Sequence, residues 1–97
     1  MENPDMKFAE KLSAQVSALN PRLTLVFVPA EDDSMDPEIQ LHQDGKDTNI
    51  AIQLGAGYVG IDRWVEAEET SYELYFGETP DDAGEALLQM IRDGKIP

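Results

Sequence analysis

The sequence predicts an α+β domain: an N-terminal helix, a five-stranded, mainly antiparallel meander sheet and a C-terminal helix, with both helices packed on one sheet face. Three observations carry that expectation. Apolar residues recur at helical spacing near both ends of the chain, five short strand-like runs fill the middle, and the parity of those runs places one continuous apolar face on a single side. An apolar sheet face and two apolar helical stripes bury one another most simply as two layers.

Asn3 and Pro4 open the first element, since proline fits the first helical turn, where its missing N–H does no harm. Phe8, Leu12, Val16 and Leu19 then follow one helical face for about four turns, and Asn20-Pro21 ends the run. Leu23 to Val28 is β-branched and aromatic and is closed by Pro29, a strand apolar on both faces. Residues 29–37 contain two prolines and four acids and read as a loop. Four further strands are expected at Glu38 to Gln43, Thr48 to Leu54, Tyr58 to Glu66 and Ser71 to Gly77. Thr79-Pro80-Asp81-Asp82 is a helix start: threonine caps, proline takes the first turn, and the acids favour the positive end of the helix dipole. Ala83, Leu87, Met90 and Ile91 form its apolar face, with Gly94 as C-cap and Ile96 folding back.

Register follows from the turns. A tight turn at Gly45-Lys46 sets Leu41 opposite Ile50 and Ile39 opposite Ile52. A turn centred on Ala56-Gly57 sets Leu54 opposite Val59 and Ile52 opposite Ile61. A turn at Glu68-Glu69 sets Ile61 opposite Phe76 and Val65 opposite Tyr72. Together they predict a core face of Ile39, Leu41, Ile50, Ile52, Leu54, Val59, Ile61, Val65, Tyr72, Leu74 and Phe76, with Arg63 as its one charged member. The opposite face then carries Glu38, Gln40, His42, Asn49, Ala51, Gln53, Tyr58, Asp62, Trp64, Glu66, Ser71, Glu73 and Tyr75. In this register Trp64 sits opposite Glu73 and Asp62 opposite Tyr75, so the only tryptophan and two of three tyrosines lie among carboxylates. Aromatics with a polar handle are enriched at binding interfaces, and they also stabilise exposed sheets through cross-strand pairs.

The 97 residues suit one domain over 1–97, and 41% hydrophobic with 28% charged residues suits a globular chain. A formal charge of −13 arises from 20 acids against 7 bases, and the two halves of the chain share it almost evenly. That field repels nucleic-acid phosphate and anionic lipid and speeds encounter with a basic partner, although it also simply favours solubility. There is no cysteine, which removes disulfides, thiolate nucleophiles and zinc–thiolate sites. No apolar run is long enough to span a bilayer, and the first residues lack a signal-peptide pattern, so the expectation is a cytoplasmic protein without membrane contact.

Two stretches imitate known ligand motifs. Gly55-Ala56-Gly57-Tyr58-Val59-Gly60 spells the G-x-G-x-x-G fingerprint of dinucleotide-binding enzymes. Only about a dozen residues separate these glycines from the next strand, too few for the helix and second parallel strand the fingerprint needs. A glycine-rich hairpin explains the same letters. Asp32, Ser34, Asp36 and Glu38 offer oxygens at alternate positions, as a calcium loop does. Pro37 stands where that loop needs glycine and Gln43 where it needs a bidentate glutamate, so a solvated acidic loop is the better reading.

His42 is the only histidine, which excludes Ser-His-Asp and multi-histidine arrangements. Asp62, Glu66 and Glu73, with Tyr75, leave carboxylate catalysis formally open, but an exposed sheet gives little burial to tune a carboxyl group. The expectation is therefore no enzyme, no cofactor and no metal. The preferred function is a small acidic binding protein that docks a protein partner, plausibly basic, through Tyr58, Asp62, Trp64, Glu66, Glu73 and Tyr75. In size, charge and element content it is loosely similar to small acidic immunity proteins and secretion chaperones, with no shared motif. The alternatives are a homodimeric structural or regulatory protein that hides the open face, and a nucleic-acid mimic whose carboxylates stand in for phosphates. Direct nucleic-acid binding is not expected.

Overall fold

The computed structural model describes residues 3–32 and 34–96. Asp33, one of the acids of the expected loop, lies outside the described residues.

Helix α1 (Pro4–Leu19) begins where the Asn3 side chain accepts a hydrogen bond from the Asp5 N–H at 2.9 Å. It buries Ala9, Leu12 and Val16, with Phe8 half-buried beside them, while Leu19 lies beyond the core and is exposed. Five strands follow: β1 (Leu23–Val28), β2 (Glu38–Gln43), β3 (Lys46–Gly55), β4 (Tyr58–Val65) and β5 (Thr70–Gly77). They pair in chain order, each antiparallel to the next. Helix α2 (Pro80–Arg92) starts with the Thr79 hydroxyl accepting from the Asp82 N–H. It ends in a Schellman motif: Gly94 adopts φ +70°, its N–H reaches the Ile91 carbonyl and the Lys95 N–H reaches Met90. Ile96 folds back onto the core.

Both helices pack against the sheet, and one cluster joins their buried residues to its apolar face. Ala83, Leu87 and Leu88 of α2 meet Leu23, Ile39, Leu41, Ile50, Ile52, Leu54, Val59 and Ile61. The expected pairs Leu41↔Ile50, Ile39↔Ile52, Ile52↔Ile61 and Leu54↔Val59 all form. Among the described residues no helix is long and apolar enough to cross a membrane.

Two turns depart from expectation. The β2–β3 turn is Asp44-Gly45 rather than Gly45-Lys46, with both residues at positive φ, +52° and +79°, as a two-residue hairpin of strand-like twist requires. β3 therefore starts two residues early, and the excess is absorbed in a bulge at Thr48 and Asn49. Asn49 takes φ +66°, and the Thr48 hydroxyl donates to the Leu41 carbonyl at 2.7 Å. Two extra residues preserve parity, so the core pairs survive the shifted turn. Arg22, just before β1, grips Asp44 through its guanidinium, which holds that carboxyl below its ordinary pKa and ties the turn to the start of the sheet.

The β4–β5 connection carries the larger correction. A single 3₁₀ turn, Glu66–Glu68, closes on Glu69 in the left-handed region, and pairing resumes at Val65↔Thr70 instead of Val65↔Tyr72. A bulge at Leu74 then shifts the register between Asp62↔Glu73 and Ile61↔Tyr75. Tyr75 consequently faces the helices, half-buried against the core, and Phe76 turns to the open side, where it is 60% exposed. These two positions are the reverse of those expected from sequence. Tyr72 and Arg63 keep the helix-side parity but are exposed, since burial along β4 stops at Ile61. The Tyr72 hydroxyl donates to the Glu68 carboxylate, and Leu74, expected in the core, is exposed at the bulge.

The two sheet edges are finished differently. On β1 the Leu25 N–H donates to Ser13 Oγ at 3.0 Å and the Leu23 carbonyl accepts from Ser17 Oγ at 2.8 Å. Two serines of α1 thus occupy backbone groups that an outer strand would use.

Candidate docking surface on the open sheet face

The strand alternation sends Glu38, Gln40 and His42 of β2, Ala51 and Gln53 of β3, Tyr58, Asp62 and Trp64 of β4, and Ser71, Glu73 and Phe76 of β5 away from the helices. Thr24, Val26 and Val28 complete the face on β1. The strands hold only two lysines or arginines, Lys46 and Arg63, and both pair in register with helix-side positions. Glu38, Asp47, Asp62 and Glu73 therefore share the face without a strand cation beside them.

A shallow depression of about 150 Å³ lies at its middle, lined by Glu38, Gln40, Asp47, Asn49, Ala51, Gln53, Asp62, Trp64 and Ser71. Ala51 makes it possible, because a methyl group stands between longer neighbours. One wall is a polar chain: Glu38 accepts from Gln40 Nε2 at 2.9 Å and from Gln53 Nε2 at 2.8 Å, and His42 Nε2 lies 3.1 Å from Gln40 Oε1. The opposite wall is Trp64, 43% exposed.

Asp62 and Glu73 stand directly opposite across β4 and β5. Partial desolvation, followed by the Glu73 charge, raises the Asp62 carboxyl above its ordinary pKa. A carboxyl raised by folding binds protons more tightly in the native state, so its contribution to stability falls as pH rises through the carboxylate range. Asp62→Asn is therefore expected to stabilise the fold at pH 7 by about 0.2–1 kcal/mol, the scale of a like-charge cross-strand pair, softened because the site is largely solvated. Urea melts of the two proteins at pH 7 and pH 3 check this: the gain should vanish at pH 3, and an equal gain at both would refute the charge explanation.

At the far end of β4 the Tyr58 ring stacks on Phe76, centroids 5.8 Å apart and 11° from parallel. Its hydroxyl donates to the Asp36 carboxylate at 3.1 Å, and that bond together with the Asp36 charge raises the phenol's pKa. The ring lies over Gly55, where a Cβ would come within 2.2 Å of a ring carbon, so the pose depends on glycine.

Of the residues singled out from sequence, the fold brings Asp62, Trp64 and Glu73 together and places Tyr58 on the same face. Glu66 has left the sheet for the 3₁₀ turn, and Tyr75 points to the helices. Phe76 is the residue sequence reasoning missed. The Glu68-Glu69 pair announces a longer connection, because a two-residue hairpin wants glycine or asparagine, but that shift of two keeps parity; the bulge at Leu74, which turns Phe76 outward, has no signal in the sequence. The alternating oxygens of residues 32–38 have partners of their own: Asp32 accepts from Ser34, Asp36 from Tyr58 and Glu38 from two glutamines. Among the described residues no three His, Cys, Asp or Glu side chains gather as a metal site. A larger groove of about 430 Å³ runs between α1 and β1, away from this face.

Comparison with protein-family models, with curated proteins and with solved structures found no match. Fold and face together define a class: a two-layer meander α+β domain with one uncovered sheet surface, acidic and aromatic.

Proposed function

We propose that this chain is a binding protein that docks a basic protein partner on the open face of its sheet. The observation that carries the reading is the composition of that face: four carboxylates, no strand lysine or arginine, and Trp64, Tyr58 and Phe76 exposed between them. Exposed tryptophan and tyrosine supply large contact area at little entropic cost, and carboxylates around them steer and select a cationic surface. The stacked pair and the hydrogen-bonded glutamine wall are already held in place, so less ordering is needed on binding.

The test is affinity capture from lysate of the source cells with three baits: the unaltered chain, Asp62→Lys/Trp64→Ala, and Glu10→Lys, which alters charge on the exposed side of α1. A basic protein retained by the first and third baits and lost at least tenfold from the second, with retention falling as salt rises, is the expected result. Equal recovery on all three baits would remove the open face from the interaction. Capture of an acidic partner, or of a second copy of the chain, would replace the basic partner by that species.

A further inference from the structure

The partner's mode of attachment is written in the difference between the two sheet edges. On β1, serine hydroxyls of α1 occupy the outer backbone groups of Leu23 and Leu25. On β5 no hydrogen bond from another element reaches the outer side among the described residues, and the strand is exposed from Ser71 to Leu74 and again at Phe76. Hydrogen-bond direction alternates along each strand and can be followed from β1 outward. Leu23 and Leu25 face outward, so Val26 pairs toward β2, Ile39 toward β3, Ala51 toward β4 and Ile61 toward β5. Beyond that, Thr70, Tyr72 and Tyr75 bond inward, and Ser71, Glu73 and Phe76 present their N–H and C=O groups to solvent.

We infer that β5 is an acceptor edge: a basic, extended segment of the partner adds to it as a sixth strand and continues the sheet. This rests on the basic partner proposed above and specifies how it is held. Charge selects the occupant. Between Glu66 and Asp82 the chain carries seven acids and no base, so the edge attracts a lysine- or arginine-bearing strand. The same charge, on a chain of net −13, opposes pairing of β5 with a second copy of itself. Main-chain bonds supply affinity in strand addition and alternate side chains supply specificity. Here every second side chain of the added strand lands on the open face beside Ser71, Glu73 and Phe76.

The probe is a nine-residue peptide alternating lysine and valine, compared with the same peptide carrying a central proline, which keeps the charge but cannot extend a sheet. Amide hydrogen exchange of the ¹⁵N-labelled protein is expected to slow at least tenfold at Ser71, Glu73 and Phe76 with the first peptide and to stay unchanged with the second. Ser71→Pro removes an outward N–H without taking a bond from β4, and should weaken binding of the first peptide at least tenfold. Should that variant fail to fold, exchange in the unaltered chain decides alone. Shifts centred on Gln40, Ala51 and Asp62, with unaltered exchange along β5 and full affinity in Ser71→Pro, would overturn the edge and leave face docking standing. Binding of neither peptide would overturn both.

Discussion

Replacing Ile52 by alanine is expected to cost about 2–5 kcal/mol, the range for large-to-small changes at buried aliphatic sites. Ile52 is 1% exposed on the central strand, with Ile39 opposite it on β2 and Ile61 opposite it on β4, both fully buried. Truncation opens a void under the helices that neither neighbouring strand can fill, because each is held in a ladder on both sides. Domains of this size have roughly 5–15 kcal/mol of stability in all, so the variant should melt early and its urea midpoint should fall with the m-value unchanged. Ile52→Val, which removes one methylene, should cost about 0.5–1.5 kcal/mol. A loss under 1 kcal/mol for alanine would mean that the central strand does not hold the core.

Gly84→Leu is expected to destabilise by about 1–3 kcal/mol through overpacking. Gly84 is buried where α2 meets α1, and a Cβ there would already lie 3.2 Å from the Phe8 ring and 3.3 Å from a Leu12 methyl. Leucine adds three carbons beyond that point. Glycine costs an α-helix about 1 kcal/mol relative to alanine, so Gly84→Ala sets a propensity gain against mild crowding and should change stability little. The rescue identifies the cause: Phe8→Ala combined with Gly84→Leu should lose less than the two single changes added, since the smaller residue opens room for the larger. Strict additivity in thermal or urea melts, or a Gly84→Leu variant more stable than the parent, would contradict the packing.

The central hairpins were readable because their information is local. Ile39, Leu41, Ile50, Ile52, Leu54, Val59 and Ile61 alternate with polar or small residues, Gln40, Ala51, Gln53 and Gly60, and a slip of one position would expose all of them, so the pairing has one economical solution. The β2–β3 turn falls one residue earlier than the alternation predicts without changing the core pairs, as the two-residue bulge at Thr48 and Asn49 returns the strand to the same parity. Trp64 and Asp62 lie on the open face, as expected, because β4 inherits its parity from the Ala56-Gly57 turn. Glu73 lies on the expected face with a different neighbour: it stands opposite Asp62, not Trp64.

Tyr75 and Phe76 exchange their expected faces because a bulge intervenes between them and the last pair of expected parity. The four-residue connection Glu66–Glu69 advances the pairing, and the bulge at Leu74 then reverses the faces of everything after it. Both side chains are aromatic, so hydrophobicity alone does not say which belongs inside. Gly77 contributes to the choice: the Tyr75 ring lies against it, with the hydroxyl 2.4 Å from where a Cβ would be.

The acidic character opened by composition gains a direction from the fold. By itself the sequence determined the element order, the apolar side of the central strands and the net charge, since alternation, capping and ionisation are properties of a residue and its near neighbours. Only the tertiary structure decided which edge is sealed and which aromatics are exposed. Those depend on how α1 lays Ser13 and Ser17 back along β1 and on how far the helix layer reaches along each strand.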